Sequence, residues 1–319
     1  MSRYKQFQIE QLKDYPLTSR PSKVNFRAFA SSLDRDSFSA FVDSLPKILA
    51  ADQLRLLAGR IKQARDKRKP IIWAFGGHVI KVGLAPVLIQ LMEEGFVTAL
   101  ATNGAGMIHD FEIAWSGHTS EDVEKDLKDG SFGMARETGD ILNRVISQGA
   151  LAGQGIGESV GAFVDASLDA AHPECCIALQ AFRRGIPFTV HVAIGTDTIH
   201  NHPAASGEAL GKGSLIDFRV LTEIVSLLGD GGVFLNLGSA VILPEVFLKT
   251  VALVRNSGRE LERFTTANLD FIQHYRPTQN VVKRPVGEAG TGIALTGHHE
   301  IMVPLLAGML RFWEQQAGG

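Results

Sequence analysis

The residues of this chain that could move a proton or hold an anion are concentrated in short stretches rich in glycine, threonine or histidine. They are Gly76-Gly77-His78; Thr102-Asn103-Gly104-Ala105-Gly106 with His109 and Asp110 behind it; Asp197 with His200 and His202; Gly238-Ser239; and Gly297-His298-His299-Glu300. An imidazole titrates near neutral pH, so these histidines suit acid–base transfer or contact with an anion. Imidazole is also a common ligand of zinc and similar ions. His109, Asp110, Asp197, His200, His202, His298 and His299 could supply three or four such ligands. The chain has no HExxH and no spaced cysteine pair, so spacing selects no metal and a metal site stays an alternative. His118, His172, His191 and His274 read as hydrogen-bonded turn residues.

What must position these stretches is a set of alternating strands and helices. Ile71 to Phe75 is a short apolar run of the buried-strand kind, stopped by Gly76-Gly77. Pro86 suits a first helical turn, Val87, Leu88, Leu91 and Met92 make an apolar stripe, and Gly95 stands at the C-cap. Further strands are expected at Phe96–Ala101, Ile186–Ile194, Val233–Leu237, Arg263–Ala267 and Gly292–Leu295. Helices are expected from Thr119 to Asp129, from Gly139 to Gln148, from Cys175 to Phe182, from Leu215 to Leu228, from Pro244 to about Asn256, and from Val303 to Trp313. The run Gly149 to Gly161, GALAGQGIGESVG, has no GxGxxG spacing and no preceding apolar strand, and reads as a flexible connection. The alternation implies a doubly wound, mostly parallel, Rossmann-like α/β sheet over residues 70–319. Residues 1–69 read as an N-terminal helical extension, with two amphipathic helices between Ser37 and Ile61 broken near Pro46. In such a sheet ligands sit at the carboxyl ends of the strands, where the stretches above converge.

Composition narrows the partners. The 319 residues are 45% hydrophobic and 21% charged, enough for one large core or two moderate ones. With 32 basic and 34 acidic residues the net charge is -2, which gives no pull toward nucleic acid or an anionic membrane. The basic cluster Arg65 to Lys69 reads as a solvated turn. Cys175 and Cys176 are the only cysteines, so there is no disulfide framework. The first residues carry no apolar signal region, and no apolar run reaches the ~20 residues of a membrane span. These features lead to the expectation of a soluble cytoplasmic protein with a small-molecule ligand.

From about Ile71 to Leu310 the chain resembles the deoxyhypusine synthase family, on motifs that match in order and spacing. They are Thr102 to Asp110; Phe132-Gly133 with Arg136 to Gly139 and Asn143-Arg144; Thr196-Asp197; Leu237-Gly238-Ser239; Thr265-Thr266-Ala267; Arg276-Pro277; and Val303 to Leu306. The resemblance implies NAD held across the strand ends by Gly77, His78, Thr102, Asn103, Gly104, Ala105, Asp197, Gly238, Ser239 and Ala267, with His298 next to the cofactor. It also implies a homo-oligomer, a dimer or tetramer.

The departures bear on the reaction. The position of the family's imine-forming lysine falls on Pro285, and Lys283 two residues earlier would face the same way on a strand. Positions that carry acids in the family read His109, His202, Gln279 and His298, so the pocket is expected to have exchanged negative charge for imidazole. A buried polycation needs several carboxylates. Spermidine is therefore not the expected substrate, and the ligand is expected to be neutral or anionic. Taken with these departures, the resemblance implies an NAD-dependent, transferase-type enzyme acting on a small amine, imine or related centre, with Lys283, His109 and His202 as catalytic residues. Lys81 and Lys212 are weaker candidates for the lysine. The alternatives are a metal-assisted hydrolase on the same scaffold and a nucleotide-binding protein without catalysis.

Overall fold

Strand β1, Ile71–Phe75, has all five side chains buried. Apolar residues at every position, without polar alternation, suit a strand covered on both faces. The computed structural model describes residues 37–313 and builds around β1 a six-stranded sheet in the order β3-β2-β1-β4-β5-β6. The other strands are β2 (Ala99–Asn103), β3 (Phe188–His191), β4 (Val233–Leu237), β5 (Thr265–Asp270) and β6 (Thr291–Thr296), and every pairing is parallel. The order reverses direction at β1 and β4, the place where an open parallel sheet leaves a crevice at its carboxyl ends.

Helices cover both faces. The odd residues of β1, Ile71, Trp73 and Phe75, share a core with α2 (Leu49–Asp66), α3 (Gly77–Lys81), α4 (Ala85–Glu93), α5 (Gly104–Ser116), α7 (Arg136–Ala152), α8 (Ile156–Ala166), α9 (Ile177–Arg183) and α13 (His299–Phe312). Ile72 and Ala74 face α10 (Gly207–Ser226) and α11 (Ile242–Asn256), where Phe234 stacks on Phe247 at 3.7 Å. The short α1 (Phe38–Ser44) packs on α13 through Phe38, and Leu54, Leu57 and Ile61 of α2 are fully or almost fully buried. Residues 37–69 thus share the main core. Residues 1–36 of the expected N-terminal extension lie outside the described residues.

Four expectations need correction. The glycine run 149–161 is helical on both sides of a tight turn: α7 ends at Ala152, Gly153 is left-handed at φ +77°, and α8 begins after Gly155. Its glycines serve close packing, since a Cβ on Gly161 would lie 2.6 Å from the Ala178 carbonyl oxygen and one on Gly157 would collide with that of Phe188. The helix expected from Thr119 is only one turn, α6 (Val123–Asp126), capped by Asp122. Strand β5 runs on to Asp270, so Ala267 is in mid-strand. Lys283 is not on a strand: after the turn α12 (Tyr275–Pro277), residues Thr278–Lys283 form a π-helical turn.

Edge strand β3 is closed by side chains. The Asp217 carboxylate accepts the N–H of Val190 at 2.8 Å, and Ser214 bonds both Val192 N–H and the Val190 carbonyl. With the outward groups of Val190 and Val192 already bonded, this part of the edge is blunted as a template for another strand.

Candidate functional site

At the reversal point the ends of β1 and β4 nearly touch. A Cβ on Gly76 would lie 3.1 Å from the Gly238 carbonyl oxygen, and Gly238 itself has φ +67°. Only glycine fits both conditions comfortably, and the result is a mouth lined by backbone. His299 lies behind it, fully buried, its Nε2–H donating to the Leu269 carbonyl at 3.0 Å while Nδ1 has no partner among the described residues. In front stand His78, whose ring centre is 5.5 Å from that of His299, and exposed Phe271 stacked at 6.1 Å on His298. Burial and His299 hold His78 below the usual imidazole range, so it is neutral at pH 7.

Beside this mouth, over the β1–β2–β3 half, lies a cleft of about 200 Å³ lined by Lys81, Ala105, His109, Glu112, Glu121, Phe132, Thr138, Thr196 and Asp197, among others. Its proton chemistry follows from one hydrogen-bond chain. Thr119 donates its hydroxyl hydrogen to Glu112 Oε2 at 2.5 Å, so the 2.7 Å contact between Thr119 Oγ1 and His109 Nδ1 must use a proton on Nδ1. Neutral His109 therefore keeps the Nε2 lone pair, on a ring that packs against Gly77 at the cleft wall. Burial pushes the Glu112 carboxyl up, but nearby His109, 3.8 Å away, and the hydrogen bonds from the Thr119 and Thr138 side chains outweigh it and hold it below its ordinary value. Glu112 is ionised at neutral pH.

Asp197 and His200 form the second unusual pair. His200 Nδ1 accepts the backbone N–H groups of Gly195 and Asp197 at 3.1 and 3.3 Å, which leaves the proton of a neutral ring on Nε2. That Nε2 faces Asp197 Oδ2 at 3.8 Å, too far for a hydrogen bond, and neither buried atom has another partner among the described residues. The Asp197 carboxylate lies over the first turn of α5, where a Cβ on Gly104 would collide with it. Burial raises its pKa, opposed by His200, the Thr196 side chain and the Ala105 N–H.

The structure thus brings Gly77, His78, Ala105, His109, Asp197, Gly238, Ser239 and His298 to the carboxyl ends of the strands. Other expected residues act on the frame. The buried Thr102 hydroxyl donates to the Phe75 carbonyl at 2.8 Å, Asn103 caps α5 by accepting the Gly106 N–H, and Gly104 makes room for Asp197. Ala267 is fully buried three residues short of the end of β5. His202 bonds the Gly133 carbonyl through Nε2 at 3.0 Å, with its ring over Gly139. Asp110 points away from the cleft and caps α9 by accepting the N–H groups of Ile177 and Ala178.

Lys283 is exposed at the end of the π-helical turn, at the β6 edge of the sheet opposite β3. Val281, two residues before it, accepts from Thr266 near the start of β5, and Arg255 at the end of α11 donates to the Pro285 carbonyl. The lysine that does line the cleft is Lys81. Among the described residues no group of three or more His, Cys, Asp or Glu side chains is placed to hold a metal ion.

The imidazoles at positions 109, 202 and 298 do not leave the cleft without carboxylates, since Glu112, Glu121 and Asp197 all line it. Glu112 was recoverable from spacing, because it stands three residues after His109 and so on the same helix face. Thr119 and Thr138 carried no such signal, since a loop and a separate helix bring them to Glu112.

No family model matches the chain, and no curated protein matches it in sequence. Solved structures do match in fold. The cyanobacterial arginine dihydrolase ArgZ superposes with a TM-score of 0.50 at 18% identity, over 83% of this chain and 33% of its own. A LOR/SDH protein from Methanococcus maripaludis S2 gives 0.51 at 15%, over 83% of this chain and 70% of that one. AgrE in its ternary complex with ornithine and NAD+ gives 0.51 at 18%, over 82% and 34%. This chain therefore spans about a third of the length of ArgZ and AgrE. A deoxyhypusine synthase-like protein from Entamoeba histolytica aligns over 88% of this chain at 12% identity, with a TM-score of 0.46. At these identities the likeness is one of fold: a Rossmann-like parallel α/β sheet. No described helix is long and apolar enough to cross a membrane.

Proposed function

We propose that this protein is an NAD-dependent enzyme acting on a small amine, with the cofactor across the β1–β4 reversal and the amine in the cleft beside His109. The observation that carries the reading is the buried pair Asp197 Oδ2 and His200 Nε2, 3.8 Å apart and without partners among the described residues. A buried carboxylate oxygen and a buried ring N–H are costly to leave unpaired, and one hydroxyl between them would satisfy both by donating to the first and accepting from the second. A ribose offers such a hydroxyl. The backbone-lined turns at Gly76-Gly77 and Gly238-Ser239 suit the close approach of a pyrophosphate, and AgrE, which shares the fold, has been seen with NAD+ and ornithine.

NAD would supply a hydride acceptor. The chain's own groups supply the rest. Ionised Glu112 with Glu121 favours an ammonium in the cleft, and His109 Nε2 removes its proton so that the free amine can release hydride and leave an iminium. Lys81, which lines the cleft, would add to the iminium carbon and expel the original nitrogen as ammonia, leaving that carbon held as a lysine imine. The carboxylates at positions 109, 202, 279 and 298 remain absent, which favours a monoamine over spermidine. The homo-oligomer and the cytoplasmic setting belong to the same proposal. The test is calorimetric titration of the purified full chain with NAD, followed by an amine panel read as NADH absorbance. Binding without any NADH would leave the non-catalytic nucleotide-binding reading, and no binding at millimolar NAD would overturn the proposal.

A further inference from the structure

A second cavity, of about 320 Å³, lies on the outer edge of the sheet, away from the carboxyl-end crevice. It is lined by Gly155, Gly157 and Glu158 of α8 and the turn before it, by Ala178 and Phe182 of α9, by Gly185 to Phe188 leading into β3, and by Asp217 and Val220 of α10. The wall is apolar except for Glu158, Asp217 and the backbone. At this volume it can take a body of benzene size or larger.

Asp217 divides its labour there. It is 2% exposed, and its Oδ2 accepts three backbone N–H groups: Val190 at 2.8 Å, Ile156 at 2.9 Å and Gly157 at 3.3 Å. Its Oδ1 accepts none from the described residues and packs against Gly155, where a Cβ would collide with it. Capping the helix and closing the strand edge require one carboxylate oxygen. The second accepts no N–H from the described residues and belongs to a side chain that lines this largely apolar groove, where a donor on a ligand can reach it.

We propose that this groove is a binding site for a small primary amine carried on an apolar body, with the ammonium donating to Asp217 Oδ1 and the body lying against Phe182, Ile186, Pro187 and Val220. Glu158, the other charged side chain in the lining, adds negative charge without reducing the apolar wall. This site stands whether or not the cleft at His109 binds an amine.

Benzylamine is the probe, with toluene as its uncharged counterpart, each titrated into the full chain at pH 8 and followed by chemical-shift changes of labelled methyl groups. Benzylamine should shift the methyls of Val220 and Ile186 and bind at least about tenfold more tightly than toluene. Asp217→Asn should remove that preference, since the amide can keep one oxygen on the three N–H groups. Val220→Trp, at a partly exposed lining position, should block both probes while leaving Asp217 and the fold in place. Equal binding of the two probes, or no shift at Val220 and Ile186, would overturn the proposal. If Asp217→Asn does not fold, the benzylamine-to-toluene ratio on the wild type and its loss in Val220→Trp decide the matter.

Discussion

Asp197 Oδ2 and His200 Nε2 face each other across 3.8 Å inside the protein, one an acceptor and the other a donor, and neither has another partner among the described residues. His200 cannot turn to relieve the gap, because its Nδ1 is held by the Gly195 and Asp197 N–H groups. Asp197 is held over the first turn of α5. Both side chains are thus fixed by backbone contacts, and in the proposed reading a hydroxyl that entered between them would pair with both.

That rigidity predicts how binding should respond. Asp197→Asn replaces an ionic acceptor by a neutral one and should weaken NAD binding by about ten- to a hundredfold by calorimetry. An unchanged affinity would remove the pair from any cofactor site.

The relay at His109 gives a kinetic prediction. Thr119→Val removes the hydroxyl between Glu112 and His109 and leaves both in place. Turnover should fall by about ten- to a hundredfold with little change in KM, and the pH–rate profile should shift on its acid limb. A change confined to KM would mean that the chain only shapes the cleft.

The two lysines separate cleanly. Lys81 lines the cleft, whereas Lys283 is exposed at the far edge of the sheet. Lys81→Ala should abolish turnover of an amine, and Lys283→Ala should leave the rate within about twofold, since surface changes away from a site are close to neutral. Trapping with borohydride, read by mass spectrometry, would locate the imine independently.

The placement of Lys283 shows what spacing along a chain cannot supply. Counting from Arg276-Pro277 gives a position in sequence, but the π-helical turn Thr278–Lys283 carries the backbone back toward the start of the strands before β6 begins. Strand β1 was legible because five consecutive apolar residues between a basic cluster and two glycines admit little else. The glycines from 149 to 161 misled for the opposite reason. Glycine is usually read as a helix breaker, and here Gly157 and Gly161 are helical because α8 must pass within van der Waals distance of β3 and α9. The histidines marked the crevice, but Glu112 and Thr119, which set the tautomer of His109, became visible only once α5 and the loop after it were in three dimensions.

Close packing at that helix can be measured. Gly157→Ala would drive a methyl into the Phe188 carbonyl, a backbone atom of the edge strand that cannot swing aside. A loss of about 1–3 kcal/mol in urea unfolding is expected. Gly153→Ala, with open space around the glycine but φ +77°, should cost less, about 1 kcal/mol, through backbone strain alone.

Two buried carboxyls tie stability to pH. Burial pushes the Asp217 carboxyl up to about 7, against the pull of its three N–H donors and with Glu158 adding to the rise, and burial pushes Asp110 up to about 6. Both values exceed those of an unfolded chain, so between about pH 4 and pH 7 the folded state holds more protons than the unfolded one. Stability from these two groups is then fully present below about pH 4 and declines as pH rises through 6 and 7, at most by about 1.4 kcal/mol per pH unit for each group. Asp217→Asn cannot titrate, and its unfolding free energy should be flatter than that of the wild type across this window. Paired urea titrations at pH 5 and pH 8 read the difference directly: equal slopes in the two proteins would mean that the Val190, Ile156 and Gly157 N–H groups keep Asp217 ionised throughout.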